Sequence, residues 1–446
     1  MTELNLPLKG TGDIFGLPLR RRLAVTGALA NLARRHGYDQ VEVPLIERAS
    51  SFSEEVVGRS PWPEWDQRGC FYLQVPDYKS LYDNPPTLTD ALLIPEGTIS
   101  VTRWLGRLLS DDPGFVWPLK LFYLTPSFRN ELIDGLDELK RRQFNQFGLE
   151  ILGAPSGSAD IEAIHLITTS LYELGIPERA VRVRVGDMAI FNRLVELSGL
   201  DPDTAIRLKE ALDAIAECKA GKRPERHSTL IDDVDRLACG AHLGPRWAKV
   251  WGELARTPHS LSVIEKVSDT VVQERLASVR KLAATLDALG VTVKIDLCVV
   301  RSHEYYTGIA FEIDVFTNTQ AFIEVGGGGR YDRLVGHFMA DRTAAPPVPA
   351  TGFAFGVERL VHLLDRLGLL GSDRSAGATM SMARAVADVL VIPQSATADG
   401  YREAAEVAAK YRAAGRAVDI YLGDPAHEVA YATARGITQS HTVTER

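Results

Sequence analysis

The sequence predicts an α+β protein with a helical insertion and a small α/β domain closing the chain. Three observations lead there. Strand-like runs cluster at 91–152 and again at 291–325, the stretch 190–290 between them is largely helical in pattern, and a strand, a helix and a second strand follow one another after residue 388. At roughly 150 residues per domain, the length allows two or three domains. The expected boundaries are 1–188 for the first part of the core, 189–290 for the helical insertion, 291–370 for the second part of the core, 371–386 for a linker and 387–446 for the closing domain.

The first element runs from about Leu19 to His36. Val25, Leu29, Leu32, Ala33 and His36 recur at helical spacing, and Gly37 suits the position after the last turn. Tyr38–Pro44 follows as a strand, with Val41 and Val43 alternating with polar neighbours and Pro44 marking a strand end or a sheet edge. Residues 59–90, rich in Pro, Trp, Asp and Tyr, are expected to form a long surface loop. Strands are expected at Ala91–Ile94, Lys120–Tyr123 and Gln143–Leu152, with Asn130–Arg142 as a hairpin loop between the last two. A helix over 159–174 and a strand at Ala180–Val185 complete the first part. The helical insertion is broken by the basic-polar hinge at 220–227. Strands resume at Val291–Val300, Ile309–Phe316 and Ala321–Val325. The glycine run Gly326–Gly329, taken alone, suggests a tight turn. Gly352–Arg359 enters a helix ending near Gly368. In the closing domain Asp388–Ile392 and Ala417–Leu422 flank a helix with Tyr401, Ala404, Ala408 and Tyr411 on one face and Gly415 at its end, a βαβ pattern.

Composition narrows the function. Fifty Lys+Arg against 58 Asp+Glu leave a formal charge of -8, which excludes a generally basic nucleic-acid coat but leaves room for a local basic patch. The four cysteines have no CxxC pair, so neither a zinc finger nor a disulfide scaffold is expected. No apolar run approaches the ~18 residues that span a bilayer, so no membrane association is expected. The N-terminal residues carry acid where a signal peptide carries base. A cytoplasmic, reduced protein is the expectation. No phosphate-binding P-loop, dinucleotide fingerprint or nucleophile elbow is present, and His303-Glu304 lacks the second histidine of a zinc helix.

What remains is a set of arginines and carboxylates beside strands. Pro126-Ser-Phe-Arg-Asn-Glu131 puts Arg129 and Glu131 on one face of an extended segment. Gly352-Phe-Ala-Phe-Gly-Val-Glu-Arg359 puts a second arginine just inside a helix behind two glycines, where a ligand can approach the backbone. Two such arginines can clamp a polyphosphate through charge-assisted bonds. The plainer alternative is that each pairs with a surface carboxylate.

Taken together these segments resemble the three signature motifs of class II aminoacyl-tRNA synthetases. The helix ending in Gly37–Pro44 resembles motif 1, the dimer-interface element. Phe128-Arg129-x-Glu131 with the returning Gln143-Phe144 strand resembles motif 2, and Gly356-Val-Glu-Arg359 resembles motif 3. The histidine-specific subfamily is the nearer match. Arg301-Ser-His-Glu-Tyr305-Tyr306 and Gly327-Gly-Gly-Arg330-Tyr331-Asp332 resemble its two signature segments. Gln143-Phe-Asn-Gln146-Phe-Gly-Leu-Glu150 resembles its pocket strand, and Pro95-Glu96-Gly97-Thr98 its α-amino-binding segment. The resemblance covers about residues 8–370, and weakly the closing domain.

The resemblance implies an antiparallel sheet flanked by helices and a chain that activates histidine with ATP and magnesium and transfers it to tRNA(His), as a homodimer. It implies that Glu96, Thr98, Gln146, Glu150, Tyr305 and Tyr306 bind histidine. Glu96 and Gln146 would hold the α-ammonium, and Glu150 with Tyr306 would read the imidazole, one as acceptor and one as phenol. Adjacent residues alternate in direction, so of the two tyrosines Tyr306 is expected in the pocket and Tyr305 in the core. Arg129 would hold the α-phosphate, Phe144 would stack on adenine, Glu131 would sit near the adenine and the metal, and Arg359 would hold the γ-phosphate. Arg301, with Arg129, would stabilise the charge that grows as the substrate carboxylate attacks.

The chain departs from the family pattern on the RNA-facing side. Gly12 stands where the family has a basic residue. The motif 2 loop carries acids at Glu131, Asp134, Asp137 and Glu138, which repel phosphate, although Lys140, Arg141 and Arg142 follow. Ser302-His303-Glu304 replaces the usual Gly-Leu-Asp, and the closing domain is short. Three readings stay open: a histidine–tRNA ligase, a paralogue that activates histidine or an analogue for a non-tRNA acceptor, and the non-catalytic regulatory subunit of ATP phosphoribosyltransferase. Retention of Arg129, Arg301 and Arg359 argues against the third.

Overall fold

The computed structural model describes residues 6–58, 69–83, 85–111, 118–130, 139–219, 227–240, 243–257, 259, 261–300, 305–317, 322–341, 347–370, 387–394, 398–421, 428–434 and 436–443. The chain divides into two compact units, Met1–Ile14 with Val25–Leu367 and Phe15–Ala24 with Gly368–Arg446. In chain order the elements are α1 (Leu17–Arg35), β1 (Asp39–Gln40), β2 (Ile46–Arg48), α2 (Glu54–Val57), β3 (Phe71–Pro76), β4 (Leu88–Leu93), α3 (Thr98–Asp111), β5 (Leu119–Phe128), β6 (Gln143–Leu152), α4 (Ser158–Glu173) and β7 (Val181–Asp187). The helical stretch follows as α5 (Met188–Ser198), α6 (Pro202–Lys219), α7 (His227–Gly240), α8 (Pro245–Arg256), α9 (Ser262–Glu265) and α10 (Thr270–Ala288). Then come β8 (Val293–Ile295), β9 (Ile309–Phe316), β10 (Phe322–Arg330), β11 (Ala350–Gly356), α11 (Val357–Arg366), β12 (Val389–Ile392), α12 (Ala398–Ala413), β13 (Val418–Ile420), α13 (Glu428–Ala434) and β14 (Ser440–Thr442).

The larger unit is built on one sheet in the order β1-β5-β6-β11-β10-β9-β7-β8. From β5 to β7 every neighbouring pair is antiparallel, and the short edge strands β1 and β8 pair in parallel. The expected antiparallel sheet flanked by helices is therefore present, with parallel edges. Strand register fixes a shared face. Tyr123 lies opposite Gly148, Gly352 opposite Glu150, Gly356 opposite Gln146, and Gly329 opposite Gly352. One face thus carries Phe144, Gln146, Glu150 and Tyr123 around a patch almost bare of side chains, formed by Gly148, Gly327, Gly329, Gly352 and Ala354. The alternate positions are apolar and buried: Phe122, Phe147, Leu149, Ile151, Phe353 and Phe355. Helices α4, α10 and α11 pack against this sheet.

Several expectations are corrected. Residues 59–90 are not one loop: β3 and the start of β4 lie inside that stretch, in a separate sheet of order β2-β4-β3. Phe71-Tyr-Leu-Gln-Val is a short strand run whose neighbours have loop composition, and that composition masked it. The Tyr38–Pro44 strand shrinks to Asp39–Gln40, with only the Val41 amide continuing the pairing, to the Phe122 carbonyl. The strand expected at Val291–Val300 is three residues long, because Asp296 turns the chain by accepting the Cys298 amide. His36 is exposed, off the buried stripe of Val25, Leu29, Leu32 and Ala33. The hinge at 220–226 and the linker at 371–386 lie outside the described residues.

The smaller unit holds a parallel three-stranded sheet of order β13-β12-β14. Val389 and Val391 face Ala404 and Ala408 of α12 in one cluster, and Leu390 and Ile392 face Tyr421 and Ile437 in another. The βαβ expectation holds here. β14 is a strand the sequence pattern did not suggest.

Candidate active site

Alternation along β6 puts Phe144, Gln146 and Glu150 on the face that carries the glycine patch. Glu150 is fully buried. Its Oε1 accepts the Thr98 hydroxyl at 2.8 Å and its Oε2 accepts the Tyr331 hydroxyl. The Glu150 carboxyl is pushed up to about 8: burial raises it most, the neighbouring Glu96 charge adds to this, and the Tyr331 and Thr98 hydroxyls act against both.

Glu96 enters from the segment before α3. Its Oε1 accepts the Ile99 amide at 3.0 Å, so the carboxylate sits at the N-terminus of a 14-residue helix, where an anion is favoured. Burial raises the Glu96 carboxyl, against the Ile99 and Thr98 donors and the Arg129 charge. Gln146 spans the two carboxylates. Its Oε1 accepts the Gly97 amide at 2.9 Å and the Tyr123 hydroxyl at 3.4 Å. The Thr98 hydroxyl lies between the two carboxylates, donating to Glu150 at 2.8 Å and also acting on Glu96.

The glycines explain how these side chains fit. A methyl on Gly352 would overlap Oε2 of Glu150, and one on Gly148 or Gly97 would overlap the Tyr123 ring. A β-carbon on Gly329 would stand 2.9 Å from the Tyr306 ring. The Gly326–Gly329 run is therefore not a turn. It is the interior of β10: Gly326 and Gly328 leave room for the Ala354 and Gly352 carbonyls of β11, and Gly329 leaves room for the Ile309 carbonyl and the Tyr306 ring.

Tyr305 and Tyr306 are both buried, with ring centroids 4.8 Å apart, and Tyr305 meets Tyr331 edge-on at 6.1 Å. They lie outside any strand, so alternation does not separate them into a core and a pocket residue. Tyr305 lies near the two carboxylates: burial first, then Glu96, Tyr306 and Glu150, hold its hydroxyl well above its usual range. Thr307 staples this turn to the end of β10. Its amide donates to the Arg330 carbonyl at 2.7 Å, and its hydroxyl accepts the Asp332 amide at 3.1 Å.

Arg129 leaves the end of β5. Its Nε donates to the Pro95 carbonyl at 3.1 Å, and its guanidinium stands 5.2 Å from the Phe144 ring centroid. The first turn of α11 is fastened to β6 beside Phe144: the Glu358 carboxylate accepts the Asn145 amide at 2.8 Å and its side-chain amide at 2.7 Å. Arg359 follows, its stem along Gly356. Of the expected site residues, Glu96, Thr98, Gln146, Glu150, Tyr305 and Tyr306 form one cluster, and Arg129, Phe144 and Arg359 are set on the strands and turns that border it. Arg301 and Glu131 lie outside the described residues. Among the described residues no group of three or more His, Cys, Asp or Glu side chains is placed to hold a cation.

Sequence reasoning missed two members of the site, Tyr331 and Tyr123. Tyr331 lies in the Gly327–Asp332 segment already matched to the family, but its partner Glu150 is 181 residues away, so only the sheet order reveals the pair. Behind Tyr331, Arg330 is buried against Asp160 of α4, with Nε at 3.0 Å from Oδ1, and against Asp332 at 2.9 Å.

The arrangement is a buried polar cluster of two carboxylates, an amide and phenols, bordered by an arginine and an aromatic ring. Sequence comparison agrees with that chemistry. The sequence pattern of the histidyl-tRNA synthetase family matches residues 92–360. The chain belongs to the histidyl-tRNA synthetase family. Its relatives within and around that family differ in activity. The histidine–tRNA ligase of Desulforudis audaxviator is 30% identical over 376 residues, 80% of this chain and 74% of that one. The ATP phosphoribosyltransferase regulatory subunit of Symbiobacterium thermophilum is 32% identical over 428 residues, 93% of this chain and 90% of that one. In fold, the chain is similar to a solved protein of Bacillus halodurans described as an ATP phosphoribosyltransferase regulatory subunit/histidyl-tRNA synthetase, with a TM-score of 0.70, 21% identity and 99% of each chain covered. The family is thus established. A ligase and a regulatory subunit both stand among the proteins similar to this chain. No helix of the described residues is long and apolar enough to cross a membrane.

Proposed function

We propose that the chain binds histidine in the Glu96–Glu150 pocket and activates it with ATP to histidyl-adenylate, for transfer to tRNA(His). One observation carries this reading. Glu150 is a buried carboxylate whose two oxygens are already oriented by Thr98 and Tyr331, on the same sheet face as Gln146 and Phe144 and within one segment of Arg129. A buried carboxylate fixed in this way suits the N–H of an imidazole, and Tyr306 supplies the complementary phenol. Glu96 and Gln146 suit the α-ammonium. A pocket of such bonds rejects analogues lacking them by about 10⁴–10⁵.

In this reading the histidine carboxylate oxygen attacks the α-phosphorus of ATP, the bond to the bridging oxygen breaks, and pyrophosphate leaves. No protein nucleophile is needed. Arg129 holds the α-phosphate, Phe144 stacks on adenine, Arg359 holds the γ-phosphate, and Arg301 faces the charge that grows in the transition state. Glu131 stands near the adenine. Magnesium accompanies the nucleotide, and the described residues supply no side-chain set for it. A homodimer through the α1 region and a cytoplasmic location complete the proposal.

A second reading has its own support. The regulatory-subunit relative is matched over 93% of this chain and 90% of its own length. A histidine pocket without chemistry would serve a subunit that reports histidine to a partner. Histidine-dependent exchange of labelled pyrophosphate into ATP separates the two readings. Exchange supports activation. Histidine binding by calorimetry without exchange supports the regulatory reading. Charging of tRNA(His) then tells a ligase from a paralogue with another acceptor.

A further inference from the structure

Gly308 closes the turn that carries Tyr305 and Tyr306, and it lies between two arginines. A β-carbon there would stand 3.1 Å from Nη2 of Arg275 and 3.3 Å from Cδ of Arg330. Each arginine is anchored by a buried aspartate. Arg330 holds Asp160 at the start of α4. Arg275, on α10 of the insertion, directs both Nε, at 3.0 Å, and Nη2 to Oδ2 of Asp187.

Asp187 joins several parts. It is the last residue of β7, and its Oδ1 caps α5 through the amides of Ala189 at 2.8 Å and Ile190 at 3.2 Å. The next amide, Met188, donates to the Gly308 carbonyl at 2.9 Å. A second pair, Arg193 with Asp269, ties α5 to the N-cap of α10. The first residue of α5 and the Arg275 side chain of α10 therefore both meet the turn at Gly308.

We propose that Arg275 is a positioning residue through which the helical insertion sets the Tyr305–Gly308 turn against the histidine pocket. Its guanidinium fork grips one aspartate oxygen and presents a flat edge to the bare α-carbon of Gly308. A lysine has no such fork, and any side chain at 308 would displace the edge. Moving the turn moves the Tyr306 hydroxyl while leaving the Arg129 and Arg359 side of the cleft in place. The effect on ligand binding rests on the histidine reading above. The effect on the turn does not.

The test compares the full-length chain with Arg275→Lys and Gly308→Ala. Three quantities are read: hydrogen exchange of the 305–309 segment without ligand, histidine affinity and ATP affinity. Both variants are expected to speed exchange in that segment and to weaken histidine by about tenfold, the value of one hydrogen bond moved out of register, with ATP affinity unchanged. A merely structural role would lower both affinities together. Unchanged exchange in both variants overturns the proposal. A wild type that binds no histidine overturns the functional reading instead, and the exchange data still decide the positioning role.

Discussion

The Glu150 carboxylate lies directly over the α-carbon of Gly352 on the adjacent strand. A side chain at 352 would remove the space in which the carboxylate meets Thr98 and Tyr331.

Gly352→Ala is therefore expected to act on histidine before it acts on the fold. Overpacking of this kind costs about 1–3 kcal/mol. Calorimetry should show histidine binding lost or strongly weakened, with nucleotide binding retained. Equal affinity for histidine in the variant would mean that the carboxylate does not form the pocket floor.

The Tyr331 hydroxyl is the second test of the same oxygen. Tyr331→Phe removes a donor to Glu150 Oε2 without changing the ring that meets Tyr305. With its carboxyl raised to about 8, Glu150 is mostly protonated at neutral pH, and a hydrogen bond between neutral groups contributes about 0.5–1.5 kcal/mol, so histidine affinity should fall by up to about tenfold. Thr98→Val should act in the same direction through the other oxygen, and a double-variant cycle should show the two effects coupled.

Stability should report the Glu150 proton. The carboxyl sits at about 8, above its ordinary 4.5, because burial disfavours the anion. Between those values the folded chain keeps a proton that the unfolded chain has released. The group's contribution is fully present below about 4.5 and is lost as pH rises through about 8. Glu150→Gln cannot titrate. Its melting temperature relative to wild type should therefore rise as pH is taken from about 5 to about 8.5. A difference that does not vary with pH would contradict the raised value.

Arg330 and Asp160 form a buried pair behind Tyr331. Arg330→Ala strands a fully buried carboxylate, and breaking such a pair by removing one partner costs about 3–5 kcal/mol. Urea unfolding should show a loss of this size. A loss near zero would mean that water reaches Asp160.

Much of this was legible along the chain because the chemistry is local to single strands. Gln143–Leu152 alternates clearly, and its observed bounds match those expected, so Gln146 and Glu150 could be placed on one face. The Gly356–Arg359 turn into α11 was legible for the same reason. What stayed hidden depends on which strands are neighbours. Nothing near Tyr331 points to Glu150, and the glycine run of β10 looks like a turn until the Tyr306 ring lies across it. Period-two alternation also misled at Tyr305 and Tyr306, since it holds only where the backbone is extended.

Histidine-dependent pyrophosphate exchange, run across the twenty amino acids, tests the proposed activation most directly. Exchange with histidine alone, abolished in Arg129→Ala and Arg301→Ala, is the expected result. The wild-type chain failing to exchange with any amino acid, or exchanging best with one that carries no ring nitrogen, would contradict it.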